Sequence, residues 1–210
     1  MIFLDMDGTL IDSNRVWTDL DVTFARRRGF ELTEEYHRGI SKLAFPAGAE
    51  FTRQYYHLEE TPEQIMAEWM ELAHDAYANT IPIKPGVMEL LDHLRELNRP
   101  MVLFTASPPE LCRCCVERLG LTPYFKGFFY SQDTGLEKGN PAIYVLAARH
   151  FGDKPEDCVL IDDSPDNCAA AAKAGFTVVG AYDSFYDKRW EEVQQNSHIA
   201  VKSLSELLAH

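Results

Sequence analysis

No stretch of this chain stays apolar long enough to cross a bilayer: segments such as residues 101–105 and 159–161 turn polar within a few positions. The basic leader of a secretory signal is missing too. Met1-Ile2-Phe3-Leu4 runs at once into Asp5 and Asp7, so a cytoplasmic protein is expected. Positive charge is scarce: 20 Lys and Arg stand against 33 Asp and Glu, a formal net charge of −13. Such a surface repels a phosphate backbone, and the only compact basic run, Arg26-Arg27-Arg28, reads as a solvated helix end before Gly29. Nucleic acid is therefore not an expected partner, and neither is a membrane. The five cysteines, Cys112, Cys114, Cys115, Cys158 and Cys168, are odd in number and form no pair of CxxC units, which argues against a structural zinc site or a disulfide framework. They read as reduced structural thiols.

What remains is an ordinary globular composition, 46% apolar over 210 residues, enough for one well-buried core and a smaller module. From about residue 101 onward, short apolar strands alternate with polar or Gly/Pro turns and with helices, the pattern of parallel α/β units. The strands read at residues 2–5, 101–105, 127–130, 159–162 and 176–179, with a weaker one at 199–201. Pro85-Gly86 opens a helix with Val87, Leu90, Leu91, Leu94 and Leu97 on its inner face, and Ser164-Pro165 opens another that ends at Gly175. Between Ser13 and Ile83 the alternation stops and only helices are expected. The clearest begins at Thr61-Pro62-Glu63-Gln64 and carries Ile65, Trp69, Leu72, Ala73 and Tyr77 along one stripe. The fold expected is a Rossmann-like parallel sheet sandwiched by helices, residues 1–13 and 82–210, interrupted by an inserted all-helical cap, residues 14–81.

Open parallel sheets bind ligands where their strands end, so the residues following each strand test the function. The first strand is followed by Asp5 and Asp7, the second by Thr105 and Ser107, and the fourth by Asp162 and Asp163; Lys138 lies after the third. Carboxylates gathered in this way repel one another by roughly 4 kcal/mol per close pair at an effective dielectric near 20. A cation must sit among them. Hard oxygen ligands without Cys or His favour Mg²⁺, and one lysine with a divalent ion facing a cluster of acids suits phosphoryl transfer.

These segments carry a resemblance. Asp5-Met6-Asp7-Gly8-Thr9-Leu10 resembles the DxDGT(L/V) first motif of the haloacid dehalogenase-like superfamily. Leu103-Phe104-Thr105-Ala106-Ser107 resembles its second motif, Lys138 its third, and Val159-Leu160-Ile161-Asp162-Asp163-Ser164-Pro165 its fourth. The run from Ala169 to Gly175 and the helical insertion are similar to the phosphoglycolate phosphatase and β-phosphoglucomutase branch. The resemblance implies that Asp5 is the nucleophile forming an aspartyl-phosphate and that Asp7 is the general acid and then base. Mg²⁺ would be held by Asp5, the Asp7 carbonyl and Asp163, with Asp162. Thr105, Ala106, Ser107 and Lys138 would bind the phosphoryl oxygens, Thr105 and Lys138 sharing in catalysis. The chain departs from the branch at Asp166-Asn167, where Gly is common, leaving Asp166 as an alternative ligand, a residue supporting the ligands from outside, or a helix N-terminal acid. It departs again at Gly139-Asn140, which separate Lys138 from Pro141.

The expected activity is hydrolysis of a small phosphorylated metabolite. Dehalogenases of the superfamily lack the second aspartate, present here as Asp7, and the same residue argues against a phosphonate hydrolase working through a lysine imine at Lys42. A phosphomutase needs the same catalytic residues, and Arg38-Gly39-Ile40-Ser41-Lys42 is loosely similar to the specificity loop of β-phosphoglucomutase. A non-enzymatic phospho-aspartate switch of the receiver type places its acidic pair before the phosphorylated aspartate, whereas Asp162-Asp163 comes late. Among cap residues, Gly39 and Lys42 are the first candidates for substrate contact, ahead of Arg15, Arg38, Arg53, Tyr55, Tyr56 and His57. Nothing in the sequence specifies an oligomeric state.

Overall fold

A computed structural model describes residues 1–40 and 45–209; Ser41 and Lys42 lie outside the described residues. The chain divides into two compact units, one of Met1–Asn14 with Ile81–His210 and one of Arg15–Thr80.

The first unit is built on a six-stranded sheet in the order β3-β2-β1-β4-β5-β6, every neighbouring pair parallel. Its strands are β1 (Ile2–Leu4), β2 (Met101–Thr105), β3 (Phe125–Tyr130), β4 (Val159–Asp162), β5 (Thr177–Ala181) and β6 (Ile199–Val201). Because β1 is central and strand order reverses between β1 and β4, the carboxyl ends of those two strands form the crevice at the topological switch point. Phe3, Val102, Leu160 and Val178 lie in register on one face, in a core with Phe104, Phe129, Tyr144 and Phe176. Leu4, Leu103, Ile161 and Val179 are the next residues along and are buried as well, which is why the strands read as continuous apolar runs. The helices of this unit are α5 (Val87–Glu96), α6 (Pro109–Arg118), α7 (Pro141–His150), α8 (Pro165–Ala174) and α9 (Trp190–Gln195).

Several expectations shift: β1 ends at Leu4, β3 starts at Phe125 and β5 runs on to Ala181, and two further cases have a local cause. Phe176 is not the first residue of β5: its N–H bonds to Ala171 O while Gly175, at φ 98°, closes α8, so the peptide serves the helix end before the strand starts. Leu97 does not join the inner face of its helix. It forms the C-cap of α5 and is 54% exposed, because the chain reverses through Asn98 at φ 52°.

Asn14 begins α1 (Asn14–Arg28), which continues into the second unit, joined there by α2 (Glu34–Ile40), α3 (Phe45–Tyr55) and α4 (Pro62–Asn79). The capping box at Thr61 and Gln64 is formed in both directions, and Ile65, Trp69, Ala73 and Tyr77 are buried while Leu72 is half-buried. Arg28 is not simply solvated: its guanidinium pairs with Glu60 and Glu68 and lies 3.8 Å from the centre of the Phe24 ring. Several candidate contacts are engaged within the unit. Arg53 pairs with Glu50, Tyr55 shares a hydrogen bond with Thr33, and Tyr56 donates to Glu31 O. Gly39 gives its missing side chain's space to the Phe51 ring.

Both connections between the units run side by side within the first. Ile11 bridges Ile83, Asp12 N–H bonds to Pro82 O, and Lys84 N–H bonds to Leu10 O.

Candidate active site

After β1 the chain stays in register for one more residue, Asp5 N–H bonding to Ile161 O at 2.9 Å, and then turns sharply. Leu10 and Ile11 return their N–H groups to Met6 O, and Gly8 sits at φ 81°, a conformation open to glycine without strain. The turn brings Asp7 beside the loop after β2. One oxygen of Asp7 accepts from Ser13 Oγ at 2.7 Å; the other accepts from Ser107 Oγ at 2.7 Å and from Thr105 Oγ1 at 3.4 Å. Thr105 Oγ1 in turn accepts the Ser107 N–H, and Ala106 is exposed between them.

Lys138, just before α7, is 4% exposed and reaches Asp5 Oδ1 at 2.5 Å, Asp162 Oδ2 at 2.7 Å and Phe104 O at 3.2 Å. Asp162 is further held by the Ser164 N–H and by the Asn167 side chain at the start of α8. Asp163 accepts from Thr9 Oγ1 at 2.9 Å and from Asn14 Nδ2 at 2.8 Å. Carboxylate oxygens of Asp5, Asp162 and Asp163 all lie within 4.8 Å of one another, and all three side chains are buried.

The electrostatics follow from crowding these acids around one ammonium. Burial holds the Asp5 carboxyl well above the ordinary range; Lys138 opposes this, while Asp162, Asp163 and Asp7 reinforce it. Asp163 is pushed up to about 7, by burial first and then by Asp162, with Asn14 and Thr9 pulling the other way. Burial alone would lower Lys138, but Asp162 and Asp5 outweigh it and hold the ammonium protonated. Three buried carboxylates against a single close lysine leave a deficit of positive charge that an oxygen-ligated divalent cation fits.

The structure thus brings together Asp5, Asp7, Thr105, Ser107, Lys138, Asp162 and Asp163. Gly39 belongs to the second unit, and Lys42 lies outside the described residues. Asp166 does not join the cluster: its exposed carboxylate makes a two-pronged pair with Arg189 at 2.9 Å, the behaviour of a helix N-terminal acid. Other residues of the site carried little signal. Ser13 and Asn14 stand out only as the boundary of the helical insertion, and Asn167 only as a departure from the branch pattern. Tyr186, at a kink after β5, has no motif at all, yet it lies near Ser164 and Asp163. The cysteines are free thiols, four of them buried.

Gly8 offers a direct test of how tightly this site is built. A Cβ there would collide with the Asn14 amide and the Asp163 carboxylate. Gly8→Ala should cost at least ~1 kcal/mol from the left-handed backbone alone, and more from displacing Asp163. Thermal denaturation checks this, and an unchanged midpoint would refute it.

Comparison with known proteins places the chain in a family. The chain is 25% identical over 187 residues to a phosphorylated carbohydrates phosphatase of Thermotoga maritima, covering 89% of this chain and 87% of that one. It is 28% identical over 202 residues to hexitol phosphatase A of Escherichia coli, covering 92% and 88%. The structure of a putative β-phosphoglucomutase from Thermotoga maritima superposes with a TM-score of 0.81 at 23% identity, over 99% of this chain and 96% of that one. With the family pattern matching residues 1–175, the chain belongs to the haloacid dehalogenase-like hydrolases.

Proposed function

We propose that this protein is a Mg²⁺-dependent phosphatase that hydrolyses a small phosphate monoester through an aspartyl-phosphate on Asp5. The observation that carries the proposal is the buried Asp5 carboxylate paired with Lys138, with Asp7 two residues on and held by Ser13 and Ser107. Asp5, the Asp7 carbonyl and Asp163 would hold the ion, with Asp162 beside them. When bound, it would neutralise phosphoryl charge and lessen repulsion among the acids. Lys138 orients Asp5 for in-line attack on phosphorus and offers its ammonium to the phosphoryl oxygens, which Thr105 and the Ala106 amide would also bind, with Ser107 beside them. Asp7 gives a proton to the leaving oxygen as the phosphorus–oxygen bond breaks, then takes one from the water that cleaves the aspartyl-phosphate, restoring Asp5 and releasing phosphate. Ser13 and Ser107 fix the carboxyl that does both.

The substrate class rests on the relatives, two of which are named as a phosphorylated carbohydrates phosphatase and a hexitol phosphatase. Residues 14–81 are proposed as the cap, with Gly39 and Lys42 contacting substrate. Free thiols among the described residues suit a cytoplasmic setting, and no described helix is long and apolar enough to cross a membrane.

The proposal is tested by following phosphate release from p-nitrophenyl phosphate and a panel of sugar and polyol phosphates, with and without Mg²⁺. Release that depends on Mg²⁺ and stops with EDTA is expected. Isomerisation of a sugar phosphate without net release would establish a mutase, and a stably phosphorylated Asp5 without turnover would establish a switch.

A further inference from the structure

Lys84, in the chain returning to the first unit, is a second, half-buried cation near the acids. Its side chain is 18% exposed and its ammonium donates to Gly8 O, to Tyr182 O at 3.0 Å and to Asp183 Oδ2 at 2.7 Å. Gly8 follows Asp7 directly, so the first of these bonds pins the turn that presents Asp7. Asp183, 6% exposed, also caps the Phe185 N–H, and the Asn14 amide donates to Asp163 Oδ2. Lys84 therefore ties Asp183 and Tyr182 to the Gly8 turn, and Gly8 packs so closely on the Asn14 amide and the Asp163 carboxylate that a Cβ there would collide with both. Lys84 also lines a cavity of about 270 Å³ with Thr9, Tyr182 and Ser203. No other cation is bonded to Asp183 among the described residues.

We propose that Lys84 is a positioning residue for the acid cluster, holding the Gly8 turn on which the Asn14 amide and the Asp163 carboxylate pack, so that divalent-metal affinity depends on a lysine that touches neither ion nor substrate. The inference rests on the metal-dependent reading above. It makes a prediction whose sign distinguishes it from simple electrostatics. Removing a positive charge near a cation site should by itself tighten cation binding. Removing a residue that holds the ligands in place should weaken it, by about 10–100-fold for outer contacts of this kind.

The experiment is direct titration of the full, substrate-free protein with Mn²⁺, an ion that suits the same oxygen ligands, read from the loss of the free-ion electron paramagnetic resonance signal. Lys84→Met is expected to bind Mn²⁺ at least about tenfold more weakly than the wild type, with Lys84→Arg recovering most of the loss. Circular dichroism of the metal-free proteins verifies the fold. If Lys84→Met does not fold, Lys84→Gln, which is also uncharged but still able to donate, is read in its place and should again bind more weakly. Equal or tighter binding by the folded uncharged variant overturns the inference while leaving the metal-dependent phosphatase intact. A wild type that binds no Mn²⁺ overturns both.

Discussion

Asp5→Asn is expected to abolish turnover of every ester the wild-type protein hydrolyses, lowering kcat by about 10⁴-fold or more, without unfolding the protein. The carboxamide has almost the shape of the carboxylate but is not a nucleophile, so no covalent intermediate forms. Lys138 keeps Asp162 and Phe104 O as partners. The stability change has a definite sign. Burial raises the folded-state pKa of Asp5, so in the metal-free protein its ionised form is disfavoured by folding, and stability is lost as pH rises through that raised value. A neutral amide removes this loss and the repulsion from Asp162, Asp163 and Asp7. At neutral pH in EDTA the variant should therefore melt no lower than the wild type. Residual turnover above about one per cent would defeat the nucleophile assignment, because removing such a group costs far more.

Lys138→Met is expected to have the larger structural effect. The ammonium is the close partner of two buried carboxylates, and deleting one side of a buried pair costs roughly 3–5 kcal/mol because the other side keeps its desolvation penalty. For a protein of this length the melting midpoint should fall by roughly 10 °C. The loss should also depend on pH. Without the lysine, nothing offsets the burial that already raises Asp5, and the folded variant holds a proton there to still higher pH. Unfolded aspartate titrates near pH 4, so the variant's stability drains away between that pH and the raised folded value. Melting curves should show a greater deficit against wild type at pH 8 than at pH 5. An equal deficit at both would mean that Lys138 contributes packing rather than charge.

How much of this was legible in the sequence depended on whether the signal was local. The bounds of β2 and β4 follow from buried apolar runs, and the α4 start follows from a capping box whose partners lie three residues apart. Asp5, Lys138, Asp162 and Asp163 were readable because parallel strands carry whatever follows them to one edge. The failures are just as physical. Phe176 looks like strand, but its peptide is claimed by a helix end that only the Gly175 conformation reveals. Leu97 keeps the helical period one step beyond where the helix stops. Lys84 and Asp183 lie 99 residues apart and meet only because the strands bring them together, and Asn14 reaches across 149 residues to Asp163. No spacing rule finds such pairs.

The paired connections at Ile11–Ile83 and Asp12–Pro82 have a consequence for the folding of the sheet. β1 must find β2 across the whole insertion, yet the entry and exit of that insertion are stitched together inside the first unit. To the sheet, the intervening residues are a single closed loop. The entropy of closing a loop grows only with the logarithm of its length, about 0.6 kcal/mol for each doubling. Lengthening, shortening or exchanging the segment between Asn14 and Ile81 should therefore barely tax the sheet, which leaves that segment free to diverge while the acids at the strand ends stay where they are.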